Sequence, residues 1–321
     1  MNHSINHPIL VIGAGSIGER HIGVLQSLGY EDIYVFRQRL LPFRAIETDS
    51  VHSFTDWNEV ALIHPYAAVI CTPTAQHLAQ AQACVEQGMH VLVEKPLSHT
   101  LEEIASLRQA AQTHQKLVQV AYMLRYHPLM QQLKAMIVED RFGRLVSFST
   151  TWAEYLPNWH PWEDYRTSYA ARKELGGGAA LTLSHDLDIV SWLVGELPKN
   201  YHKTFNRRAN LDVNVEAGAT FLLEYPSGIT GVVQLNYYQK IPKRTYELVF
   251  DEALVTLDYF KNHITVQTLD KTELIENEGF ERNQMFEAQT IDFFKNTQSE
   301  SVNARTEQYL NESEIIIEMC Q

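Results

Sequence analysis

The chain reads as α/β: a doubly wound parallel sheet over residues 1–123, then an α+β unit with an open, mainly antiparallel sheet over 124–321. Three observations predict this. At 321 residues the chain exceeds the usual size of one core, so two domains are expected. Apolar strand-like runs alternate with helical patterns over residues 8–122, the signature of a parallel sheet. From residue 213 to 268, strand-like runs instead follow one another across short turns, as antiparallel strands do.

Each element follows from its local pattern. Residues 8–12 are a short apolar run, hence a buried strand. Ile17, Val24, Leu25 and Leu28 share one helical face, and Gly29 supplies the stop. Strands are expected at 32–36, 66–71, 89–94 and 117–122, with a helix at 75–87 that closes at Gly88. Thr100-Leu101-Glu102-Glu103 has the form of a capping box opening a further helix. In the second unit, 128–139 reads as a helix, 145–152 as a strand and 153–172 as an irregular aromatic stretch. A helix over 181–194 ends at Gly195. Strands at 213–225 and 229–238 are joined by the turn Pro226-Ser227-Gly228, and others are expected at 246–250, 254–258 and 263–268. Helices at 284–295 and 307–319 close the chain.

Composition narrows the function. The formal net charge of −13 argues against a nucleic-acid partner, which needs a basic footprint. No apolar run is long enough to span a bilayer, and Met1-Asn2-His3-Ser4 lacks the basic and apolar pattern of a leader. Cys71, Cys84 and Cys320 show neither metal-ligand spacing nor a disulfide framework. A soluble cytoplasmic protein with reduced thiols and no metal is the expectation.

Two motifs carry the chemistry. In Gly13-Ala14-Gly15-Ser16-Ile17-Gly18 the glycines have separate tasks: Gly13 allows a tight strand-to-helix turn, Gly15 lets backbone approach a pyrophosphate, and Gly18 lets helix and sheet pack closely. Ser16 and Ile17 open a helix whose free amides face the phosphates. Because the motif follows a strand and precedes a helix, it reads as a Rossmann dinucleotide site. Where an acid usually bonds the ribose 2′-hydroxyl stands Arg37, with Arg39 near it; its charge and fork suit a 2′-phosphate, so NADP(H) is favoured over NAD(H). The other reading is a solvated loop arginine beside bound NAD. Thr72, Pro73 and His77 follow the 66–71 strand and are assigned to the cofactor side. Helix entry and capping are their plainer roles.

The second motif is Glu94-Lys95-Pro96. Lys95 ends a strand beside the expected cofactor, where partial desolvation makes its amine a proton donor or acceptor. Glu94 orients it or bonds the cofactor ribose. Taken alone, the motif also reads as a surface ion pair.

The motifs do not stand alone. Gly13–Gly18, Thr72-Pro73-Thr74, Glu94-Lys95-Pro96, Arg125-Tyr126-His127-Pro128 and Gly176-Gly177-Gly178 with His185-Asp186-Leu187-Asp188 occur in that order. This set resembles the Gfo/Idh/MocA family of nicotinamide-dependent sugar and cyclitol oxidoreductases over nearly the whole chain. The resemblance implies a Rossmann domain and a C-terminal α/β domain whose open sheet forms a homodimer or homotetramer interface. It implies Lys95 as the catalytic lysine and His185 as the second proton-handling residue. The activity implied is hydride transfer between nicotinamide and a secondary hydroxyl or keto group of a sugar, sugar acid, nucleotide sugar or cyclitol. One departure stands out. The family commonly has an aspartate one helical turn before the histidine, and here that place holds Leu181, with Thr182 beside it. Asp188, three residues after His185, shares its helical face and is the favoured replacement, as a partner of His185 or of a substrate hydroxyl; Asp186 does not share it. Asp188 equally reads as a helix-surface carboxylate.

Arg125 and Tyr126 follow the last parallel strand and are substrate candidates. So are Trp162 and Arg166, within a stretch at 152–173 dense in rings and cations; rings stack on sugar faces and arginines fork anions. Packing at a domain junction or an interface is the other reading. The segment 159–166 resembles members of the family found in bacterial surface-sugar synthesis. Two rivals to dehydrogenase activity stay open: a non-catalytic dinucleotide-binding sensor, and a redox-neutral glycoside-processing enzyme that retains NAD. The missing aspartate points toward the sensor; Lys95 and His185 point away from it.

Overall fold

The computed structural model describes residues 7–321; Met1–Ser4, read above for a leader, lie outside them. The chain divides into two compact units. One takes the described residues up to Met123 together with Arg282–Ile317, the other Leu124–Glu281 and Glu318–Gln321.

The first unit is built on six parallel strands: β1 (Ile9–Ile12), β2 (Ile33–Phe36), β3 (His52–Phe54), β4 (Ala67–Ile70), β5 (His90–Val93) and β6 (Val118–Val120). Their order is β3-β2-β1-β4-β5-β6, so the chain reverses direction across the sheet between β1 and β4. That switch opens a crevice outside the carboxyl ends of the strands. Strands β1, β4 and β5 are buried at every position, as their unbroken apolar runs require. Helices α1 (Ser16–Ser27), α2 (Val60–Ile63), α3 (His77–Glu86) and α4 (Ile104–His114) lie between the strands in sequence. The expected capping box does not open α4. Glu103 takes φ +67° at the N-cap with no side-chain bond to the helix, and the Thr100 amide bonds Ser98 Oγ at 3.1 Å instead. A left-handed residue between Thr100 and the first turn separates the two halves of such a box.

The second unit holds α5 (Pro128–Val138), β7 (Leu145–Tyr155), α6 (Ala179–Thr182), α7 (His185–Val194) and strands β8 (Asn200–Asn206), β9 (Gly218–Glu224), β10 (Thr230–Asn236), β11 (Tyr238–Phe250), β12 (Leu254–Asp258), β13 (His263–Gln267) and β14 (Thr272–Glu276). Its sheet runs β14-β13-β12-β11-β7-β10-β9-β8, antiparallel except for the β7–β10 pair. Gly231 stands opposite Phe148 in that parallel pair, and a Cβ there would lie 2.2 Å from the Phe148 ring. The single helix expected over 181–194 is two helices, broken at Leu183–Ser184, so His185 opens a helix instead of lying within one.

The final helices, α8 (Asn283–Thr297) and α9 (Val302–Cys320), correct the expected domain plan, which gave 124–321 to the second unit. Phe293 and Phe294 of α8 lie in one buried cluster with Ile9, Val11, Ile22, Leu25, Val69 and Leu92 of the parallel-sheet unit. Burying two phenylalanine side chains there is worth roughly 3–6 kcal/mol, which holds the returning chain to the first core.

Candidate active site

The glycine turn follows β1 directly. Gly13 takes φ +92°, its amide bonds the Phe36 carbonyl at 3.0 Å, and a Cβ would lie 3.0 Å from the Cys71 carbonyl oxygen. At Gly18 a Cβ would lie 2.1 Å from the Gly13 carbonyl oxygen, so only glycine fits. Gly15 differs: nothing lies within 4 Å of its missing Cβ. It caps α1 without a side-chain bond, and Ser16 behind it is exposed, while Ile17 is half-buried against the core. An uncapped twelve-residue helix with clear space over its first amides fits a dinucleotide pyrophosphate.

Arg37 follows β2. Its Nη1 donates to the Leu41 carbonyl at 2.7 Å, and its guanidinium lies 4.1 Å from the Phe43 ring centroid. It lines a cavity of about 380 Å³ with Leu40, Leu41, Pro42, Thr48, Val51 and Ser53. Buried Glu19 of α1 accepts from the Arg44 and Ala45 amides and so ties this loop to the helix.

Three residues assigned to the cofactor spend their polar atoms on the protein. The Thr72 hydroxyl donates to Gln80 Oε1 at 2.6 Å. His77 is 1 % exposed, with Nδ1 2.9 Å from the Pro96 carbonyl and Nε2 2.8 Å from the Thr72 carbonyl. Both ring nitrogens of His77 thus face backbone carbonyls. Glu94 Oε1 meets His21 Nε2 at 2.9 Å, and Oε2 accepts the Lys95 amide at 3.3 Å. Burial acts to raise the Glu94 carboxyl, but the His21 hydrogen bond and the charges of His21, Lys95 and His77 hold it below the usual carboxylate range. Pro73 takes its place as the residue before the turn into α3, at φ −59°. Lys95 itself is partly exposed at the carboxyl end of β5, before a cis bond to Pro96.

In the second unit, His185 is 4 % exposed at the start of α7, with the Trp152 ring centroid 6.1 Å from its own. Arg244 stands opposite Trp152 across β7 and β11, its guanidinium carbon 3.7 Å from the Trp152 ring centroid. Arg244 Nη2 bonds Asp186 Oδ2 at 2.5 Å, and Nε bonds the Tyr246 hydroxyl at 2.9 Å. Burial raises the Asp186 carboxyl pKa against the opposing pull of Arg244. The sequence set Asp186 aside and gave Arg244 no role. One polar position in an apolar-alternating strand was the only signal for Arg244.

Asp188 and Arg125 were assigned to substrate, yet they bond each other. Arg125 Nε and Nη2 reach Asp188 Oδ2 and Oδ1 at 3.0 and 2.5 Å, with the carboxylate side chain 1 % exposed. Tyr126 ends the helical turn that carries Arg125 and is half-buried. Trp162 is 70 % exposed with Nε1 on Glu163, and the Arg166 fork is held by Asp164. These two residues lie on the surface of their unit. Among the described residues, no group of three or more His, Cys, Asp or Glu side chains is placed to hold a metal, and no helix is long and apolar enough to cross a membrane.

Residues 8–122 match the model of an oxidoreductase family with an NAD-binding Rossmann fold, and residues 130–256 match the Gfo/Idh/MocA C-terminal domain. The chain belongs to the Gfo/Idh/MocA family. Among relatives, a levoglucosan dehydrogenase of Pseudarthrobacter phenanthrenivorans is 28% identical over 205 residues, 58% of this chain and 52% of that protein. An inositol 2-dehydrogenase of Salmonella paratyphi B is 27% identical over 237 residues, 70% of this chain and 66% of that one. The matched stretch thus spans about half the length of the first of these relatives. A levoglucosan dehydrogenase structure in complex with NADH superposes with a TM-score of 0.80 at 19% identity, covering 98% of this chain and 96% of that one, which shows a shared fold. The glycine turn and Lys95 both lie within the matched Rossmann stretch.

Proposed function

We propose that the chain is an NAD(P)-dependent dehydrogenase acting on a secondary hydroxyl of a sugar or cyclitol, with Lys95 and His185 handling the proton. The observation that carries this reading is the Lys95 turn at the carboxyl edge of the sheet whose β1 feeds the open Gly15 cradle. The relatives named as levoglucosan and inositol dehydrogenases support the substrate class. When bound, nicotinamide supplies the hydride acceptor or donor. The chain's own work is orientation and proton transfer. Lys95 Nζ and the His185 imidazole hydrogen-bond the hydroxyl, and one of them takes its proton as the carbon–hydrogen bond breaks; in reduction the same group returns it. Arg37 favours NADP(H) through a 2′-phosphate. The Ser- and Thr-bearing face of the second unit's sheet, with Leu222, Val249 and Leu274 exposed on it, serves as the interface of a homodimer or homotetramer. The free cysteines suit a cytoplasmic setting.

The test is turnover of a panel of levoglucosan, myo-inositol, D-xylose and UDP-N-acetylglucosamine with NAD⁺ and NADP⁺, followed at the nicotinamide absorbance. Lys95→Met is expected to lose about 10²–10⁴-fold in kcat while dinucleotide binding persists. A variant that binds dinucleotide and turns over like the parent sinks the catalytic reading. Binding without any turnover by the parent favours the sensor.

A further inference from the structure

The residues on both sides of Lys95 are held by buried histidines from two different helices. His21, on α1, meets the carboxylate of Glu94 at 2.9 Å. His77, which opens α3, meets the carbonyl of Pro96 at 2.9 Å and that of Thr72 at 2.8 Å. Both rings are 1 % exposed, and the edge of Phe286 closes over His21 with centroids 5.5 Å apart. We infer that His21 and His77 are positioning residues: His21 holds the Glu94 side chain, which accepts the Lys95 amide, and His77 holds the backbone at Pro96, and together they set where the Lys95 amine stands. The inference rests on the proposed role of Lys95 in proton transfer.

Geometry distinguishes this from ordinary filling of a core. A buried histidine needs partners for its two nitrogens, and any nearby backbone would serve. Here two histidines 56 positions apart choose the two residues that flank one lysine. The clamp also joins three strand ends. Through α1 it reaches the glycine turn after β1, through Thr72 the end of β4, and through Glu94 and Pro96 the end of β5. A carbonyl accepts and never donates, so the two carbonyls on His77 are both satisfied only by an imidazolium. Burial, joined by the charge of Lys95, lowers the His77 pKa against the pull of the two carbonyls and the Glu94 carboxylate. The group is therefore held between opposing demands, and its removal is felt at both strand ends.

The test reads Lys95 directly, without a substrate. Full-length protein, with and without NADH, is acetylated with acetic anhydride across pH 6–10, and the rate at Lys95 is followed by mass spectrometry against exposed Lys261. His77→Leu and His21→Leu are expected to change the Lys95 rate relative to Lys261 by about threefold or more and to shift its pH midpoint by about half a unit. His21→Gln, which keeps a donor for Glu94, stays near the parent. A lower melting temperature alone does not count, since any core role gives that. Folded Leu variants whose Lys95 rate and midpoint match the parent overturn the clamp; if His77→Leu does not fold, the His21 pair decides. Failure of the catalytic reading is seen separately, as Lys95→Met that still turns over.

Discussion

Arg125 closes a two-point fork on Asp188, its Nε and Nη2 at 3.0 and 2.5 Å from the two carboxylate oxygens. The pair joins the turn before α5 to the first turn of α7, three residues along from His185. A carboxylate so engaged is an anchor for the helix that carries His185. The fork pairs the Asp188 carboxylate with the Arg125 guanidinium. Breaking a buried pair from one side leaves an uncompensated charge. Asp188→Ala is expected to cost about 3–5 kcal/mol in urea unfolding, and Arg125→Met with Asp188→Leu together less than the sum of the two. A double-mutant cycle with no coupling removes the anchor.

Gly15 and Gly18 of the first turn are expected to fail in different ways. Gly18→Ala puts a methyl 2.1 Å from the Gly13 carbonyl oxygen, so β1 and α1 must separate. It destabilises the fold before it touches any ligand, by about 2 kcal/mol or more. Gly15→Val meets nothing within 4 Å of its Cβ and folds normally. It fills the cradle, and NADH affinity falls by about tenfold or more. Circular dichroism melts paired with nicotinamide fluorescence separate the two effects; equal loss of stability in both variants contradicts the assignment of open space at Gly15.

How far the sequence reaches follows from where a signal is local. Strands β1, β4 and β5 are short apolar runs buried on both faces, so pattern alone finds them. Strands β3, β8 and β14 escaped because each is a sheet edge. An edge strand pairs on one side and carries polar residues, and Asn200–Asn206 is exposed at most positions. Glycine spacing and the strand-end lysine announce Gly13, Gly15, Gly18 and Lys95. His21 left a faint trace: a polar residue one step before Ile22 in the buried stripe of α1. Asp186 and Arg244 are 58 residues apart, and nothing in either neighbourhood names the other. The return of α8 to the first core is equally non-local, since Phe293 and Phe294 mark a helix as apolar without saying which core it joins.

Arg37 has two contacts to lose and a preference to set. Its guanidinium already bonds the Leu41 carbonyl and lies on the Phe43 ring, which fixes it beside the end of β2. A fixed fork loses less entropy on meeting a phosphate. The parent is expected to bind NADPH more tightly than NADH, and Arg37→Asp to reverse that order by about tenfold or more, through repulsion of the 2′-phosphate and attraction of a 2′-hydroxyl. Fluorescence titrations of both dinucleotides decide it. Equal affinities in the parent leave Arg37 as a loop staple only.

Two histidines make stability depend on acid. His90 Nδ1 accepts the Leu117 amide at 3.0 Å, and His127 Nδ1 accepts the Leu129 amide at 3.2 Å at the start of α5. A proton on either nitrogen removes an acceptor that the backbone uses. Burial, helped by Lys116 near His90 and Arg244 near His127, pushes both down to about 4 from an ordinary 6.5. Between those values the unfolded chain binds protons that the folded chain refuses, so unfolding takes up protons and stability rises with pH. The contribution is fully present above about pH 6.5 and is lost as pH falls toward 4, at most about 1.4 kcal/mol per pH unit for each histidine. His127→Asn keeps an oxygen to cap α5 but does not titrate. It is expected to match the parent near pH 7.5 and to flatten the slope of unfolding free energy against pH between about 6.5 and 4 by up to one proton. Urea unfolding at half-unit steps checks it, and an unchanged slope in His127→Asn means that this ring is already protonated in the folded chain or is not protonated on unfolding.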